Sequence, residues 1–352
     1  MGDLMFTLIW GSALFAVVQK SAAGISASQL HQDIDVVEFA VESDTASTVV
    51  DFCKRYECSF LGKITSKYFH IKFKEWTIRK FGGEKKLQDS AKRFYRNGDV
   101  FPNTRVSEAW RYGLNGSGIT IAVLDDGIQV DHPDLRQSID DVSSIDFIDM
   151  DFNITPDTLA DSHGTKVTGL IAAEANNNVC IVGVAYASTI IGVRILGEDA
   201  SITDITEAMA LSYESEKVDI YSNSWGPEDG HSYTTFGRVS ESALIDGVTL
   251  GRNGKGAIYV FAAGNGGKGD NCNADGYASN LYTIPITSIG IDGKAAHYSE
   301  VCASAFAATY SGISERKLTS TSLNSTCVSD LQGTSFSAPE ASAILALTLQ
   351  AK

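Results

Sequence analysis

Apolar and polar positions change period several times along the chain, and each change predicts a different kind of element. Leu4 to Val18 is an apolar run of 15 residues, too short to span a bilayer comfortably and of the length of a secretory leader core. Ser21-Ala22-Ala23 supply small residues for cleavage after Ala23. Residues 1–23 are therefore expected to be a signal peptide, with an uncleaved anchor as the alternative, and no other stretch reaches membrane-spanning length. Val36 to Val41 and Tyr68 to Phe73 are strand-like and flank an amphipathic helical stretch around Ala46 to Tyr56. This predicts a small α+β unit over 34–96. Trp76 to Val100 loses periodicity and becomes charged, with Gly82-Gly83, Lys85-Lys86 and Lys92-Arg93, as an exposed linker does.

From Gly118 onward, short β-branched runs alternate with helical patterns. Strands are predicted at Ile119 to Leu124, Thr189 to Leu196, Val218 to Tyr221 and Ala257 to Ala263, and helices at Thr165 to Ala175, Asp204 to Glu216 and Val239 to Gly251. That alternation predicts a mostly parallel α/β sheet over 97–352. Active groups in such folds collect at the carboxyl ends of the strands.

Composition agrees with a large globular unit plus a small one. The 352 residues are 43% hydrophobic and 20% charged with only six prolines, which excludes a disordered chain. Lys+Arg number 28 against 43 Asp+Glu, a net charge of -15, so no global basic surface exists to bind nucleic acid. The charge is also divided. Glu38 to Arg96 holds 13 basic and 8 acidic residues, whereas Asn97 to Lys352 holds 14 basic and 32 acidic ones. Opposite fields favour docking of the two parts and attract cationic ligands to the larger one. The six cysteines lack the paired spacing of zinc sites and are expected to be disulfides or buried thiols of a secreted chain. Sequons at Asn115, Asn153 and Asn324 fit a glycosylated secretory product.

Three short segments carry the candidate chemistry. The strand Ile119 to Leu124 runs into Asp125-Asp126-Gly127, placing a carboxylate at a strand tip. Asp161-Ser162-His163-Gly164-Thr165 places a histidine before an Ala-rich helical stretch, and Gly333-Thr334-Ser335 places a serine at the start of the last apolar helix. Each alone reads as a turn, a packed residue or an N-cap. Together, Asp, His and Ser in this chain order form one of the known triad orders, the one seen in subtilisin. Ser335 is the candidate nucleophile, His163 the base and Asp125 its orienting partner. The predicted strand before Gly264-Asn265-Gly266-Gly267 offers the Asn265 amide as an oxyanion donor.

On these residues the sequence resembles the subtilase superfamily. Val123-Leu124-Asp125-Asp126-Gly127-Ile128, His132-Pro133-Asp134-Leu135, Ser224-Trp225-Gly226-Pro227-Glu228-Asp229 and Asn273-Ala274-Asp275-Gly276-Tyr277 resemble more narrowly its kexin/furin-like proprotein convertases. The resemblance implies a subtilisin-like α/β fold, a mostly parallel sheet with helices on both faces, preceded by the small unit as an inhibitory propeptide. It implies a serine endopeptidase of the secretory pathway that cleaves precursor proteins after paired basic residues. Asp229 and Asp275 would line the pocket for the P1 arginine, Asp126 would face P2 and Glu207 P4, and Ser224, Trp225 and Gly226 would pair with the substrate backbone. Calcium is implied at three sites: Asp134, Asn177 and the Val179 carbonyl; Asp229, Asp270 and Glu300; and Asp146, Asp151 and Asn153. Disulfides Cys180–Cys327 and Cys272–Cys302 are implied too, with propeptide cleavage at Arg96, or at Arg93 as second choice.

Several positions depart from the family pattern. Ala160 and Thr234 stand where acids support P2 and P4 recognition, Glu174 and Ile181 alter the first calcium set, and Glu340 and Ala343 stand for an apolar residue and a glycine on the serine-bearing helix. The family pattern also continues beyond Lys352 into a β-rich P domain, so the catalytic unit is expected to be C-terminally truncated. A decoy that binds without turnover and a broad degradative subtilase are the alternative functions.

Overall fold

The computed structural model describes residues 104–197, 202–230 and 233–352, together with the backbone of five strands nearer the N-terminus. Those five are β1 (Thr7–Trp10), β2 (Leu14–Val17), β3 (Val36–Ser43), β4 (Cys58–Lys63) and β5 (Tyr68–Lys74). They form one antiparallel sheet in the order β1-β2-β3-β5-β4. By contact the chain divides into two compact units, one over 1–85 with 110–113 and 352, the other over 86–109 and 114–351. The helix expected around Ala46 to Tyr56, the linker, Arg93 and Arg96 lie outside the described residues.

After α1 (Val106–Arg111), the second unit is built on β6 (Thr120–Asp125), β7 (Ile145–Asp146), α2 (His163–Ala172), β8 (Thr189–Arg194), α3 (Asp204–Leu211), β9 (Ile220–Asn223), α4 (Arg238–Gly254) and β10 (Ile258–Ala262). β11 (Thr283–Ile289), β12 (Ala307–Tyr310), the hairpin β13 (Leu318–Ser322) and β14 (Thr326–Leu331), and α5 (Thr334–Gln350) complete it. Seven strands lie in the order β12-β11-β10-β9-β6-β8-β7, and every pairing between them is parallel. This is the subtilisin-like α/β arrangement.

The strands expected at Ile119, Thr189, Val218 and Ala257 and the helices expected at Thr165, Asp204 and Val239 all form, with ends displaced by a few residues. α3 stops at Leu211 because Glu214 turns into the left-handed region at φ 50, which a helix cannot continue through. β11 and β12 carry weaker strand signals. β11 holds Pro285 in mid-strand, opposite Phe261 of β10, and proline cannot donate to a ladder.

Period-2 alternation gives the sheet two buried faces. Ala122 and Leu124 of β6 join Tyr221, Tyr259, Phe261, Leu211 and Leu244 in one core beneath α3 and α4, where Tyr221 and Tyr259 stack at 4.6 Å. On the other face Ser342 of α5 donates to Ser222 of β9. Burying each large apolar side chain stabilises the fold by about 1.5–3 kcal/mol, so the strand tips are held on a rigid scaffold. Among the described residues no helix is long and apolar enough to cross a membrane.

Candidate active site

All seven strands point the same way, so their carboxyl ends share one edge of the sheet. β6 and β9 are neighbours at the point where the chain turns from one half of the sheet to the other, the place where α/β sheets open a crevice. Asp125 ends β6, Ser224 follows β9, and Gly264-Asn265 follows β10.

Asp125 is buried, at 1% exposure. His163 is the first residue of α2, and its Nδ1 lies 2.9 Å from Asp125 Oδ1 and 3.0 Å from Oδ2. Asp126 is committed to the same helix: Oδ2 accepts from the His163 N–H at 2.9 Å and Oδ1 from the Gly164 N–H at 2.6 Å. It is a carboxylate cap from outside the helix, satisfying two otherwise orphan donors. Gly164 is required here, because a Cβ would meet the Gly127 carbonyl at 2.2 Å and Asp125 Cβ at 3.0 Å. Burial alone would lower the His163 pKa, but the Asp125 charge and hydrogen bond reverse it and leave it raised. Asp126 is raised by burial and then by the Asp125 charge.

Ser335 is the second residue of α5. Its hydroxyl donates to the Ser224 carbonyl at 3.1 Å. The preceding Gly333 adopts φ 129, a conformation glycine tolerates and other residues resist, and this brings Thr334 against Asn265. The Thr334 N–H and hydroxyl both donate to Asn265 Oδ1, at 2.8 and 3.1 Å. That leaves the Asn265 Nδ2 group without a hydrogen bond among the described residues, in a position where such an amide can serve as an oxyanion donor. Thr334 was not singled out by the sequence reading. Its role lies in an approach across 69 residues of chain.

Beside Ser335 lies a cleft lined by Ser224, Trp225, Gly226, Pro227, Glu228, Asp229, Ala262, Gly264, Asn265, Asp270, Ala274, Asp275, Glu300 and Thr334. Among the described residues its lining includes five carboxylates and no basic side chain. Gly226 forms a wall, since a Cβ there would lie 3.5 Å from Asp275 Oδ2. Burial pushes Asp275 up, against the Tyr277 and Ala278 N–H groups that pull it down, and the Asp270 and Asp229 charges add to the rise. Glu300 is pushed up to about 7, first by burial and then by Asp270 and Asp229.

Asp229, Asp270 and Glu300 each present an oxygen within 4.8 Å of the others. An all-oxygen set of three carboxylates suits a hard divalent cation, so these residues fit calcium. They also hold the loop after β10, since Asp229 accepts from the Asn265 N–H at 3.0 Å and Glu300 from the Gly266 N–H at 3.1 Å. Asp134, Asn177 and Val179 converge too. There the Asn177 amide donates to Asp134 Oδ1 at 2.7 Å, and its own carbonyl accepts from the Val179 N–H at 2.9 Å. Ile181 fills the neighbouring backbone position and donates to Asp134 Oδ2 at 3.2 Å. Asp146 has a different partner. Its Oδ2 is 2.7 Å from Arg194 Nη1 and its Oδ1 accepts from the Ile148 and Asp149 N–H groups, while Asp151 and Asn153 bind backbone amides of their own loop. Arg194, fully buried at the end of β8, was another residue the sequence reading passed over. It also meets Asp157 at 2.6 Å.

Glu207 is buried on α3 and accepts from the Tyr277 hydroxyl at 3.3 Å. Burial pushes it up to about 7. Trp225 packs edge-on to Phe261 and Tyr277. Cys180–Cys327 and Cys272–Cys302 are both formed, with Cα separations of 5.3 and 5.4 Å. The second ties the Asp270–Asp275 segment to Glu300. Asn153 and Asn324 are exposed, and Asn115 is half-buried. Ala160 is exposed, Thr234 bridges to Asp275, and Ala343 is fully buried. Glu340 is buried on α5, with the Thr104 and Thr309 side chains and the Tyr310 N–H beside it.

Residues 116–352 match the subtilase family, peptidase S8. Over 254 residues the chain is 44% identical to neuroendocrine convertase 2 of Bos taurus, covering 70% of this chain and 40% of that one. Over 268 residues it is 42% identical to proprotein convertase subtilisin/kexin type 4 of Homo sapiens, covering 74% and 35%. Among solved structures, a protease from Pseudoalteromonas arctica superposes with a TM-score of 0.60 at 25% identity, covering 75% of this chain and 86% of that one. The chain spans well under half the length of the curated relatives it matches.

Proposed function

The chain belongs to the subtilase family, and we propose that it is a serine endopeptidase of the secretory pathway that cuts precursor proteins after paired basic residues. The observation that carries this reading is the cleft beside Ser335, whose described lining holds five carboxylates and no basic side chain. A guanidinium on the substrate supplies the missing charge, and Asp229 and Asp275 can grip it as a fork. Asp126 and Glu207 stand as the acids toward P2 and P4. The Ser224 to Gly226 backbone receives the extended peptide as an added strand, and the peptide frees the Ser335 hydroxyl from the Ser224 carbonyl.

Ser335 Oγ attacks the scissile carbonyl carbon while its proton passes to His163 Nε2. Asp125 stays ionised, holding the Nδ1–H and stabilising the imidazolium. The carbonyl oxygen becomes an oxyanion, held by Asn265 Nδ2 and by the Ser335 N–H at the positive end of α5. Collapse breaks the C–N bond, and the amine leaves with the proton from His163. Water then attacks the acyl-enzyme by the same route and restores Ser335. Calcium, when held by Asp229, Asp270 and Glu300, supplies positive charge that offsets their mutual repulsion. These three residues then keep the oxyanion loop seated. The unit over 34–96 acts as the intramolecular inhibitor, released by cleavage after Arg96.

The test uses the full chain and its Ser335→Ala form, made in a secretory host. The expected outcome is a new N-terminus at Asn97 in the first and not the second, cleavage of Lys-Arg fluorogenic peptides over Lys-Leu peptides, and loss of that activity with a calcium chelator. Cleavage of Lys-Leu peptides at equal rate would return the degradative reading, and binding without release of product would return the decoy.

A further inference from the structure

His163 is supported on one side by carboxylates and on the other by a ring. Asp125 takes only Nδ1, through both of its oxygens, and a ring held at one nitrogen can still tilt about that bond. The second support comes from the residue after the nucleophile. Phe336, on the first turn of α5, places its ring centroid 5.6 Å from that of His163 at an interplanar angle of 51°. Phe336 is 7% exposed, whereas the His163 side chain remains 33% exposed. The phenyl ring therefore shields one part of the imidazole from water and leaves another open to a substrate.

We propose that Phe336 is a positioning residue for the base: its ring fixes the plane of His163 and keeps that side of the imidazole dry. The proposal rests on the triad reading above. It makes α5 serve the site twice, because the helix that presents Ser335 also braces the group that must take the Ser335 proton. The charged groups that face His163 are Asp125 and Asp126 at the tip of β6 and Lys166 on its own helix; α5 contributes the uncharged ring. Burial is the strongest single influence on His163 and acts to disfavour its protonated form. Removing the ring hydrates the imidazole and favours the imidazolium. The opposing effect, loss of a cation–π contact, is the weaker one at a tilted 5.6 Å geometry.

The experiment compares the full chain with Phe336→Ala and Phe336→Leu, each also carrying Ser335→Ala for NMR titration of the histidine ring protons, with His163→Ala identifying the resonance. In Phe336→Ala the His163 midpoint is expected to rise by about half a pH unit or more. In the Ser335 forms the acid limb of kcat moves up with it, and kcat falls about 3- to 10-fold at nearly unchanged KM. Phe336→Leu, which keeps the bulk, restores most of both. An unmoved His163 midpoint in a folded Phe336→Ala protein would overturn the proposal and leave the ring as core packing. A lowered midpoint would overturn it too, making the ring a cation–π partner. The NMR titration needs no activity, so a chain that cleaves nothing would fail the protease reading while the Phe336 result stood by itself.

Discussion

The two halves of the site treat their carboxylates in opposite ways. At the tip of β6, Asp125 and Asp126 are paired with groups of the protein itself: His163 and the Asp126 N–H for one, the first two N–H groups of α2 for the other. Across Ser335, the cleft gathers Glu228, Asp229, Asp270, Asp275 and Glu300, where the hydrogen bonds seen among the described residues come from backbone amides. In the first half these partners are in place without a ligand. In the second, burial and neighbouring charges disfavour the ionised forms of Asp275 and Glu300. On the proposed function, one half serves the chemistry and the other the choice of substrate.

Three substitutions sharpen that contrast. Asp125→Asn leaves the volume and removes the orienting charge, and kcat is expected to fall about 10⁴-fold with little change in KM, measured on a Lys-Arg peptide. An effect below about tenfold would mean that His163 is oriented by other groups. Asp275→Asn acts on the other half. A drop of about 10²-fold in kcat/KM for P1 arginine is expected, from losing one partner of a buried charge pair, with P1 leucine peptides unaffected or improved. Equal losses on both peptides would show that Asp275 serves the catalytic half after all.

Glu340→Gln has the smallest effect on activity and tests a third kind of acid, one placed in the packing. Burial raises Glu340 to about 7, against the Thr104 and Thr309 side chains and the Tyr310 N–H, which pull it down. An acid whose folded pKa lies above its unfolded value makes the native state hold the proton more tightly. The native state is therefore relatively most stable at low pH and loses stability as pH rises toward 7. The amide carries no such penalty. Thermal unfolding of Glu340→Gln is expected to match the parent near pH 5 and to exceed it at pH 8, by on the order of 3 kcal/mol for a rise from 4.5 to about 7. Parallel melting curves across that range would place Glu340 in contact with water.

Much of this was legible in the chain. Periodicity located four central strands, the three helices between them and the serine-bearing helix, because strongly apolar short runs have few other uses. The later strands were harder to read: β11 carries a mid-strand proline, and β12 is an exposed edge with two of its four residues facing solvent. Asp125, His163, Ser335 and Asn265 stood out because each sits at the end of an apolar element within two residues of a glycine, and because the first three follow a known triad order. Both cysteine pairings followed from the family resemblance and are formed.

What the sequence determined by itself is therefore the order of the elements and which residues stand at their tips, since local steric preference and burial period act over a few residues. Only the tertiary structure decided what each acid does. Asp126 caps α2, Asp146 takes Arg194, Asp229 holds the oxyanion loop, and Thr334 and Phe336 brace the amide and the imidazole. A carboxylate's role depends on which donor reaches it. Those donors arrive from β8, α2 and the loop after β10, tens of residues away in the chain, so no local pattern records them.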